Sequence, residues 1–485
     1  MNVAFLGASV SSITNMLYAA SPSQDSGAPK DHKLLIGWAS KDITPAKPVA
    51  LAGQFHVRVS KYVNDPITAT ALAIEAGNDQ AIMVSCDLVA IRSGIQDKLR
   101  KLVEPRLPGF DIKKLFLNAT HTHTGPVTVE GNYPEQGPEV MTPTEYVDFF
   151  LDRLCDLVVE AWENRKPGGI SWALGHAVVG HNRRAVYLDG SAKMYGSTNR
   201  DDFACIEGYE DHSLNMLFFW NQEKEFTGIV INIACPSQVT EGEHYVSADF
   251  WHEVRKELRG RYTQDLFILP QCAAAGDQSP HFLLSGRAEE NMRKRKGVSE
   301  REEIAIKIAD AVDYTFSSAE SDIQTDIAFK HVVEDVGLPV RKVTEEELDR
   351  ANAEYDRLTK KPDKGSSDLS HLRRNKGVID RYKQQEKEPF YQIELHVIRI
   401  GDIAIATNSF ELFLDYGMRI KARSKALQTF TVQLACSSSG YLPTAKAVAG
   451  GGYGAEAVSN RVGPEGGQVL VDRTVDLISE TWGSE

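Results

Sequence analysis

Short apolar runs alternate with segments of helical periodicity along most of the chain. From about residue 33, β-branched runs such as LLIGWASKDITP, TATALAIEA and QAIMVSCDLVAI are separated by Gly, Asp-Pro and Gly-Asn-Asp turns, which predicts paired strands. Apolar residues recur every three to four positions in SGIQDKLRKLVEPRL, TPTEYVDFFLDRLCDLVVEAWENR, SADFWHEVRKEL, SEREEIAIKIADAVDYTFSSA and GGQVLVDRTVDLISETW, which predicts helices. We therefore expect an α/β (mixed α+β) fold, with mixed β-sheets layered with helices, in a single domain over 33–485.

One stretch interrupts this pattern. Residues 343–387 are dense in charge and poor in large apolar side chains, and their two halves flank a KPDKGSS break. This predicts a charged helical insertion, an αα-hairpin laid on the surface, with a flexible solvated insertion as the alternative. Neither interpretation puts catalysis in this stretch, although such an insertion can wall a substrate cleft.

Composition and charge exclude several classes of protein. The chain has 485 residues, enough for a substantial core, and 54 basic against 67 acidic residues give a net charge of −13. No basic stripe favours binding to nucleic acid. The six cysteines are scattered and form no CxxC, so neither a zinc ribbon nor a disulfide framework is predicted.

The N-terminal segment predicts export. Residues 1–32 contain the apolar AFLGASVSSITNMLYAASPS, which ends in small residues and resembles a signal peptide without its basic region. A disordered leader is the alternative. We favour a periplasmic or secreted location over a cytoplasmic one. No other segment approaches the roughly 20 apolar residues that a membrane helix needs.

Two histidines in the motif NATHTHTGP are the first candidates for chemistry. His121 and His123 follow an apolar run, and side chains at i and i+2 of an extended strand share a face. Both can therefore reach one point just beyond the strand end. The pair predicts a metal site or a catalytic pair, with two unrelated surface histidines as the alternative.

Two further clusters also follow apolar strands. Cys235 ends the strand of IACPSQV, where a thiolate could bind a metal, although a lone buried cysteine is usually a small hydrophobic residue. The motif QCAAAGDQSPH places Asp277, Ser279 and His281 in a tight turn. Such a turn could position a substrate or hold a nucleophile. The alternative is an ordinary structural turn, because Gly-Asp and Ser-Pro are common in turns.

Glu411 and two tyrosines complete the candidate set. Glu411 lies between an apolar strand and a helix in ATNSFELF, as a metal ligand or a helix-start carboxylate would. Tyr441 and Tyr453 lie on the glycine-rich loops of SSSGYLPT and GGGYGAE, where backbone can approach a ligand closely.

Taken together, these motifs resemble a known family. The order of GWASKDITP, THTHTGP, GHNRR, the Cys-Pro pair fourteen residues before the S-A-D aspartate, GDQSP, Glu411 and the spacing of Tyr441 and Tyr453 is similar to the catalytic domain of the neutral/alkaline ceramidases. The resemblance spans roughly residues 34–485. It implies a zinc-dependent hydrolase with a ceramidase-type catalytic fold.

The resemblance also implies a ligand set for one zinc ion: His121, Cys235, Glu411 and Tyr441. The family has histidine at the position that Cys235 takes here, counted without gaps from Asp249. Either zinc is kept with an altered ligand set, or His244 or His252 substitutes, or the metal is lost. We expect the four ligands to converge in one coordination sphere.

Roles for the remaining residues follow from the same resemblance. His123 would stabilise the oxyanion or support the ligands, and Arg183 and Tyr453 would contact the substrate near the scissile bond. Ser279 matches a family serine proposed as nucleophile. We prefer a metal-activated water, which leaves Ser279 to position substrate. Asp277 and His281 are further candidates for substrate binding.

Two departures from the family bear on the substrate. We expect no counterpart of the immunoglobulin-like C-terminal domain of full-length ceramidases, and His281 stands where the family has asparagine. The first hypothesis is a zinc amidohydrolase that cleaves an N-acyl bond of a lipid-like molecule. The alternatives are a metal-dependent esterase or glycan-directed hydrolase, and a metal-free binding protein. A deep apolar channel would favour acyl chains, and a shallow polar cleft would favour sugars.

Overall fold

Two mixed β-sheets lie face to face between layers of helices. The computed structural model describes residues 34–92 and 94–483, so the predicted leader lies outside the described residues. The strands are, in chain order, β1 (Leu35–Asp42), β2 (Ala50–Leu51), β3 (Arg58–Val59), β4 (Tyr62–Val63), β5 (Thr68–Ala76), β6 (Asp79–Cys86), β7 (Leu115–Ala119), β8 (Lys166–His176), β9 (His181–Asn182), β10 (Arg184–Tyr187), β11 (Ala192–Met194), β12 (Phe203–Ile206), β13 (Ser213–Asn221), β14 (Phe226–Ile233), β15 (Tyr245–Val246), β16 (Phe267–Cys272), β17 (Gln278–Ser279), β18 (Phe329–Pro339), β19 (Phe390–Ile400), β20 (Ile403–Thr407), β21 (Glu411–Leu412), β22 (Gln428–Val432) and β23 (Tyr441–Leu442).

Most of the helices are amphipathic, and these cover the outer faces of the sheets. They are α1 (Ile95–Val103), α2 (Pro143–Glu163), α3 (Phe250–Arg261), α4 (Gly286–Lys296), α5 (Glu300–Ser321), α6 (Glu345–Lys360), α7 (Ser366–Gln384), α8 (Leu414–Arg423), α9 (Ala445–Gly450) and α10 (Pro464–Trp482). Within the described part of the chain, no helix has the length and apolar character needed to cross a membrane.

The larger sheet has eight strands in the order β16-β14-β13-β8-β1-β5-β6-β7, and the smaller has four in the order β18-β19-β20-β22. Three pairs are parallel, β14 with β16, β6 with β7, and β20 with β22, and the other pairs in these sheets are antiparallel. The larger sheet curves so strongly that its two edges come close together. The Pro270 carbonyl of β16 accepts hydrogen bonds from Ser85 of β6 and Asn118 of β7. The predicted fold class is confirmed.

Successive side chains of each strand point to opposite faces of its sheet, and this separates the apolar side chains into layers. In β5, Ala71 and Ala73 face the α1 and α2 side, while Leu72 and Ile74 face the smaller sheet. In β20, Ile403 and Ile405 meet them in the layer between the sheets, and Ala404 faces the side of α8 and α10. The order is therefore helices, curved sheet, small sheet, helices.

The charged stretch 343–387 contains α6 and α7. Thr344 caps α6 in a reciprocal pair with Glu347, which satisfies backbone N–H groups at the helix start. Val378 of α7 and Ala351 of α6 join Val343 and Ala457 in a small apolar cluster, separate from the main layers. This hairpin therefore packs on the loop that precedes α10.

Candidate functional site

The predicted site residues follow the ends of five long strands. His121 comes after β7, Cys235 after β14 and Asp277 after β16, all in the curved sheet. Glu411 follows β20, and Tyr441 follows β22, both in the small sheet. The site is thus assembled from both sheets.

His121 is held in a strained and specific orientation. Its backbone adopts a left-handed conformation with φ of 68°, which costs a non-glycine residue about 1–3 kcal/mol. Its Nδ1 lies 2.6 Å from the Val89 carbonyl oxygen. Because a carbonyl only accepts, the proton of the neutral ring is on Nδ1, and Nε2 presents a free lone pair. Burial lowers the pKa of His121, although Glu411 opposes this effect.

Glu411 and Tyr441 are placed side by side by the short strands β21 and β23. These strands pair in parallel with Glu411 opposite Tyr441. Glu411 Oε2 lies 3.6 Å from His121 Nε2. Burial, followed by the charge of Glu411, raises the pKa of Tyr441 well above its usual value. The Tyr441 ring meets that of Tyr453 at 5.3 Å between centroids, so Tyr453 closes one side of the site.

His123 is oriented by a glutamine that the sequence did not single out. Gln238 Oε1 accepts hydrogen bonds from Arg183 at 3.1 Å and from Tyr195 at 3.4 Å, which fixes the orientation of its amide. The Gln238 NH₂ group therefore donates to His123 Nε2 at 2.9 Å. Burial, followed by the nearby His121, Arg58 and Arg183, lowers the pKa of His123 well below its usual value. His123 is thus neutral, with a lone pair on Nε2.

These assignments make the centre of the site rich in electron pairs. His123 Nε2 lies only 3.3 Å from His121 Nε2, and neither nitrogen carries a proton. The lone pair of His123 Nε2 already accepts the Gln238 proton. The lone pair of His121 Nε2 lies 3.6 Å from the Glu411 carboxylate, and two such electron-pair donors repel each other unless a cation or a proton lies between them. The donor set therefore fits a bound cation.

Arg183 joins both halves of the site. Its guanidinium donates to the Tyr195 hydroxyl at 2.9 Å and to the Gly276 carbonyl at 2.9 Å, and it reaches the Tyr441 hydroxyl at 3.5 Å. The side chain is buried and always charged. It places a fixed positive charge next to Tyr441.

The GDQSP turn packs beneath these residues. Asp277 accepts a hydrogen bond from the Leu414 amide at 2.8 Å and one from Asn182 at 3.2 Å, so its carboxylate braces the start of α8. Ser279 Oγ accepts from Tyr195 at 3.2 Å and from the His281 amide at 3.1 Å. No hydrogen bond joins Ser279 to an imidazole or a carboxylate anywhere in the described structure.

His281 lies near the mouth of the site beside Glu241. The two side chains are 3.5 Å apart, and Glu241 also lies 3.4 Å from His123 Nδ1. Burial alone would lower the pKa of His281, but the interaction with Glu241 raises it. Of the two histidines beside Glu241, His281 therefore has a raised pKa and His123 has a lowered pKa.

Cys235 points in a different direction from the other predicted ligands. Its Sγ donates to the Val179 carbonyl at 3.4 Å, inside an apolar cluster with Trp251 and Phe250. Burial raises its pKa well above the usual value. His121, Cys235 and Glu411 do not bring one ligand atom each within 4.8 Å of one another.

The two histidines proposed as substitutes for Cys235 lie elsewhere. His244 is exposed, and its carbonyl accepts from the Lys61 amide at 2.8 Å. His252 lies on α3, with Nδ1 4.0 Å from Asp65.

Another group of potential ligands lies between the sheets. Glu394, His396 and Cys436 bring ligand atoms within 4.8 Å of one another, the only such group of His, Cys, Asp and Glu in the described ranges. Both Glu394 oxygens are already bound by Arg100, and both His396 nitrogens are bonded, one to Glu394 and one to His331. These bonds occupy the atoms that a metal would need, so the group is a structural network.

Several site residues were missed by sequence analysis. Gln238, Tyr195 and Glu241 stand on irregular loops whose polar residues carry no periodic signal. Arg58 donates to the His123 carbonyl at 2.6 Å and is fully buried, although its sequence context resembles an ordinary short strand. Only the closeness of Gln238 to the Cys-Pro motif could have drawn attention to it.

Two cavities adjoin the site. One, of about 450 Å³, is bordered by apolar side chains that include Phe55, Val378 and Tyr453, and also by charged residues of the hairpin α6–α7 and its neighbouring loop. The other, of about 620 Å³, is bordered by Glu411, Gly440 and a group of arginines. The surroundings are thus neither a single apolar channel nor a shallow polar cleft.

Comparisons with known proteins agree on the fold. No protein-family profile and no curated protein matches the sequence. Among solved structures, neutral ceramidase from Pseudomonas aeruginosa matches with a TM-score of 0.67 at 16% identity, over 93% of this chain and 75% of that one. A ceramidase complexed with C2 matches with a TM-score of 0.65 at 16% identity, over 93% of this chain and 76% of that one. The chain therefore has the neutral ceramidase fold.

Proposed function

We propose that the protein is a metal-dependent hydrolase of the neutral ceramidase type, which cleaves an amide bond of an N-acylated substrate. Support comes from the fold that it shares with proteins described as ceramidases and from the donor atoms that meet at the ends of both sheets. Fold alone does not determine function, so the argument depends on the site.

The observation that carries the proposal is the closeness of His121 Nε2, whose lone pair is free, to the Glu411 carboxylate, which lies opposite Tyr441. Ligands of one zinc ion lie about 2 Å from it, and so about 3–4 Å from one another. The 3.6 Å between His121 Nε2 and Glu411 Oε2 agrees with this spacing. An unprotonated imidazole nitrogen beside a carboxylate is a pair of donors that a divalent cation stabilises.

In our proposal, His121, Glu411 and Tyr441 hold the metal. The Nδ1 bond of His121 to a backbone carbonyl is the outer contact that usually orients a histidine ligand. Three protein ligands and one open position are typical of catalytic zinc sites. Cys235 as a fourth ligand remains a prediction, and it would require its thiol to turn away from Val179. When bound, Zn²⁺ would polarise the scissile carbonyl and lower the pKa of a coordinated water toward about 7.

The remaining residues have complementary tasks. Arg183 holds a positive charge beside Tyr441, where negative charge develops on the scissile oxygen. His123 is neutral and can accept or pass on a proton at Nε2, provided that its bond from Gln238 opens. Tyr453 lines the route into the site and positions the substrate.

Water is preferred to Ser279 as the nucleophile. A serine hydroxyl is a weak nucleophile unless a base takes its proton. Ser279 is bonded to Tyr195 and to a backbone amide, and neither is a base. Its part in our proposal is to fix Tyr195, and through Tyr195 the guanidinium of Arg183.

Metal content and amide hydrolysis test the proposal together. We expect purified or zinc-reconstituted protein to hold one zinc per chain by elemental analysis and to release laurate from N-lauroylethanolamine. His121→Ala and Glu411→Gln should each lose the zinc and reduce the rate by at least about 100-fold. Cys235→Ala decides whether the thiol is a ligand, and exposed Cys205→Ala is the matched control.

A matched lauroyl ester distinguishes an amidohydrolase from an esterase on the same scaffold. Folded protein that holds no zinc after reconstitution and cleaves neither compound would contradict the proposal and favour a binding protein.

A further inference from the structure

The larger cavity beside Glu411 is lined by an unusual number of cations. Its volume is about 620 Å³, and it is bordered by Ser438, Ser439, Gly440 and Asn460 on the site side. Six arginines also border it: Arg92, Arg341, Arg373, Arg374, Arg381 and Arg461. In a protein with a net charge of −13, this local concentration of positive charge requires a reason.

Carboxylates neutralise only one of these six arginines in the described part of the chain. Arg341 pairs with Glu347 at 2.6 Å. Asp380, which also borders the cavity, pairs with Lys376 instead. The other five arginines have no carboxylate oxygen within 4.0 Å in residues 34–92 and 94–483. Glu388 and Glu411 complete the acidic lining, so positive charge exceeds negative charge.

The guanidinium groups are anchored rather than free in solvent. Arg374 of α7 donates to the Val458 carbonyl at 3.2 Å and to Ser459 Oγ at 2.8 Å. Arg381, about two turns further along α7, donates to the carbonyls of Ala457 and Asn460. Fixed guanidinium groups lose little conformational entropy when they bind an anion. The insertion thus forms a preorganised wall of the cavity.

The arginines act on one another electrostatically. Burial, followed by the charges of Arg461 and Arg341, lowers the pKa of Arg381 to about 10. Burial also lowers the pKa of Arg92, with Glu411 as the main opposing influence. An anion in the cavity would relieve this repulsion.

The cavity and the reaction site share a wall. Glu411 borders the cavity and also lies 3.6 Å from His121. The Gly440 carbonyl, which also borders the cavity, accepts from the Glu411 amide at 2.9 Å. A group bound among the arginines would therefore lie a few bonds from the scissile position.

We propose that the substrate carries an anionic group, a carboxylate, sulfate or phosphate, which the arginine cavity binds while the N-acyl bond lies at Glu411. This inference rests on the proposed hydrolase function and narrows its substrate class. Arginine forks bind such planar or tetrahedral oxyanions through paired hydrogen bonds. The apolar side of the neighbouring cavity, formed by Phe55, Val378 and Tyr453, then receives the acyl chain.

A matched pair of substrates tests the charge directly. N-lauroylethanolamine and its O-phosphate share the acyl group and the scissile amide and differ in charge, and N-lauroyltaurine supplies a sulfonate. We expect kcat/KM to be at least about ten-fold higher for the two anionic compounds, mainly through a lower KM. Arg461→Gln should remove most of this preference, because the side chain borders the cavity without anchoring the loop.

Two controls separate binding from folding and from catalysis. Arg357→Gln removes an arginine of the same hairpin that pairs with Glu354 outside the cavity, and we expect it to keep the preference. Inorganic phosphate should inhibit hydrolysis of the anionic substrates competitively, and Arg461→Gln should weaken this inhibition. Phosphate should also raise the melting temperature of inactive Glu411→Gln protein, independently of turnover.

Equal kcat/KM for charged and neutral amides would overturn the inference and leave the hydrolase proposal intact. Non-competitive inhibition by phosphate, lost in Arg461→Gln, would mean that a free anion regulates the enzyme, and this also contradicts a substrate subsite. Phosphate binding without any amide hydrolysis would instead contradict the hydrolase function on which the inference rests.

Discussion

Gly276 shows how closely the site depends on backbone contact. A Cβ atom at this position would lie 2.4 Å from the Glu411 carbonyl oxygen, which is backbone and cannot yield as a flexible side chain does. The Gly276 amide donates to the Leu412 carbonyl at 2.8 Å, and its own carbonyl accepts from Arg183. The glycine of the GDQSP motif therefore sets the distance between the two sheets at the site.

Gly276→Ala should consequently displace Glu411. We expect the variant to lose zinc and at least about ten-fold in activity, with destabilisation of about 1–3 kcal/mol from overpacking. Gly260→Ala is the matched control, since a Cβ there meets nothing within 4 Å and the residue lies in α3. Alanine should stabilise that helix by about 0.5–1 kcal/mol. Full metal content in Gly276→Ala would contradict the assigned role.

Glu394 is the centre of a buried polar network remote from the proposed chemistry. Arg100 binds both carboxylate oxygens at 2.8 and 2.9 Å, and His396 binds one at 2.9 Å. Burial alone would raise the pKa of Glu394, but the hydrogen bonds from His396 and Arg100 lower it well below the usual range. The group joins α1 of one sheet layer to β19 of the other.

We expect Glu394→Gln to lower the free energy of unfolding at neutral pH by about 1–3 kcal/mol, because Arg100 loses a charged acceptor. A carboxyl whose folded pKa lies below its unfolded value stabilises the protein above about pH 5 and loses this effect as the pH falls. The difference between wild type and variant should therefore shrink below about pH 4 in denaturant titrations. Glu354→Gln, which breaks an exposed pair, should cost less than about 1 kcal/mol at any pH.

For single residues, the sequence predicted which of them come near the site, but it did not predict where each side chain points. His121, Glu411 and Tyr441 meet because each follows a strand, and strand ends could be identified from apolar runs. The orientation of Cys235 depends on Val179 and Trp251, which no local pattern connects to it. The same limit applies to Gln238, whose role arises only from contacts with Arg183 and His123.

The hairpin of α6 and α7 is the element that connects the charged stretch 343–387 to the site. Val378 and Ala351 hold it to Ala457, and Arg374 and Arg381 clamp the loop 457–460. That loop in turn supports Tyr441, whose amide donates to the Ser459 carbonyl at 3.1 Å. The hairpin is therefore connected to Tyr441 through the backbone of the loop 457–460.

Val378→Ala should loosen this connection. We expect a loss of about 1–2 kcal/mol in the local stability of the hairpin from the lost methyl groups. Amide exchange should accelerate in α6, α7 and residues 457–460, and KM should rise more than kcat falls. Val129→Ala, at an exposed valine, should leave exchange in these segments unchanged. Equal acceleration throughout the chain would indicate global destabilisation instead.

Periodic patterns predicted the long elements and failed on polar or very short ones. The helix α4 was not predicted, because GRAEENMRKRK has no apolar stripe and the structure buries none of its side chains. The two-residue strands β21 and β23 are too short to produce alternation, yet they align Glu411 with Tyr441. These elements are defined by tertiary contacts, which a local pattern cannot contain.

At the scale of the whole molecule, the protein is negatively charged, whereas the cavity beside Glu411 is lined mainly by positive charge. The excess of acidic residues argued against binding to nucleic acid, because a negative protein repels polyanions at long range. The arginines of the cavity come from separate parts of the chain: before α1, between β18 and α6, within α7 and after β23. Their charges meet only in the folded protein, and fields are screened beyond about 10 Å at 0.1 M salt. A composition count therefore could not detect the cavity.

The division of the site between two sheets also has a kinetic consequence. His121 and Glu411 are brought together from distant parts of the chain, so their contact closes a very long loop, and contacts of this kind form late in folding. An intermediate with one sheet formed would hold only part of the ligand set and could not bind metal tightly. Metal would thus bind the native state alone and stabilise it by mass action, which slows the separation of the sheets. Loss of metal would then leave the apolar layer between the sheets to hold His121 and Glu411 together without it.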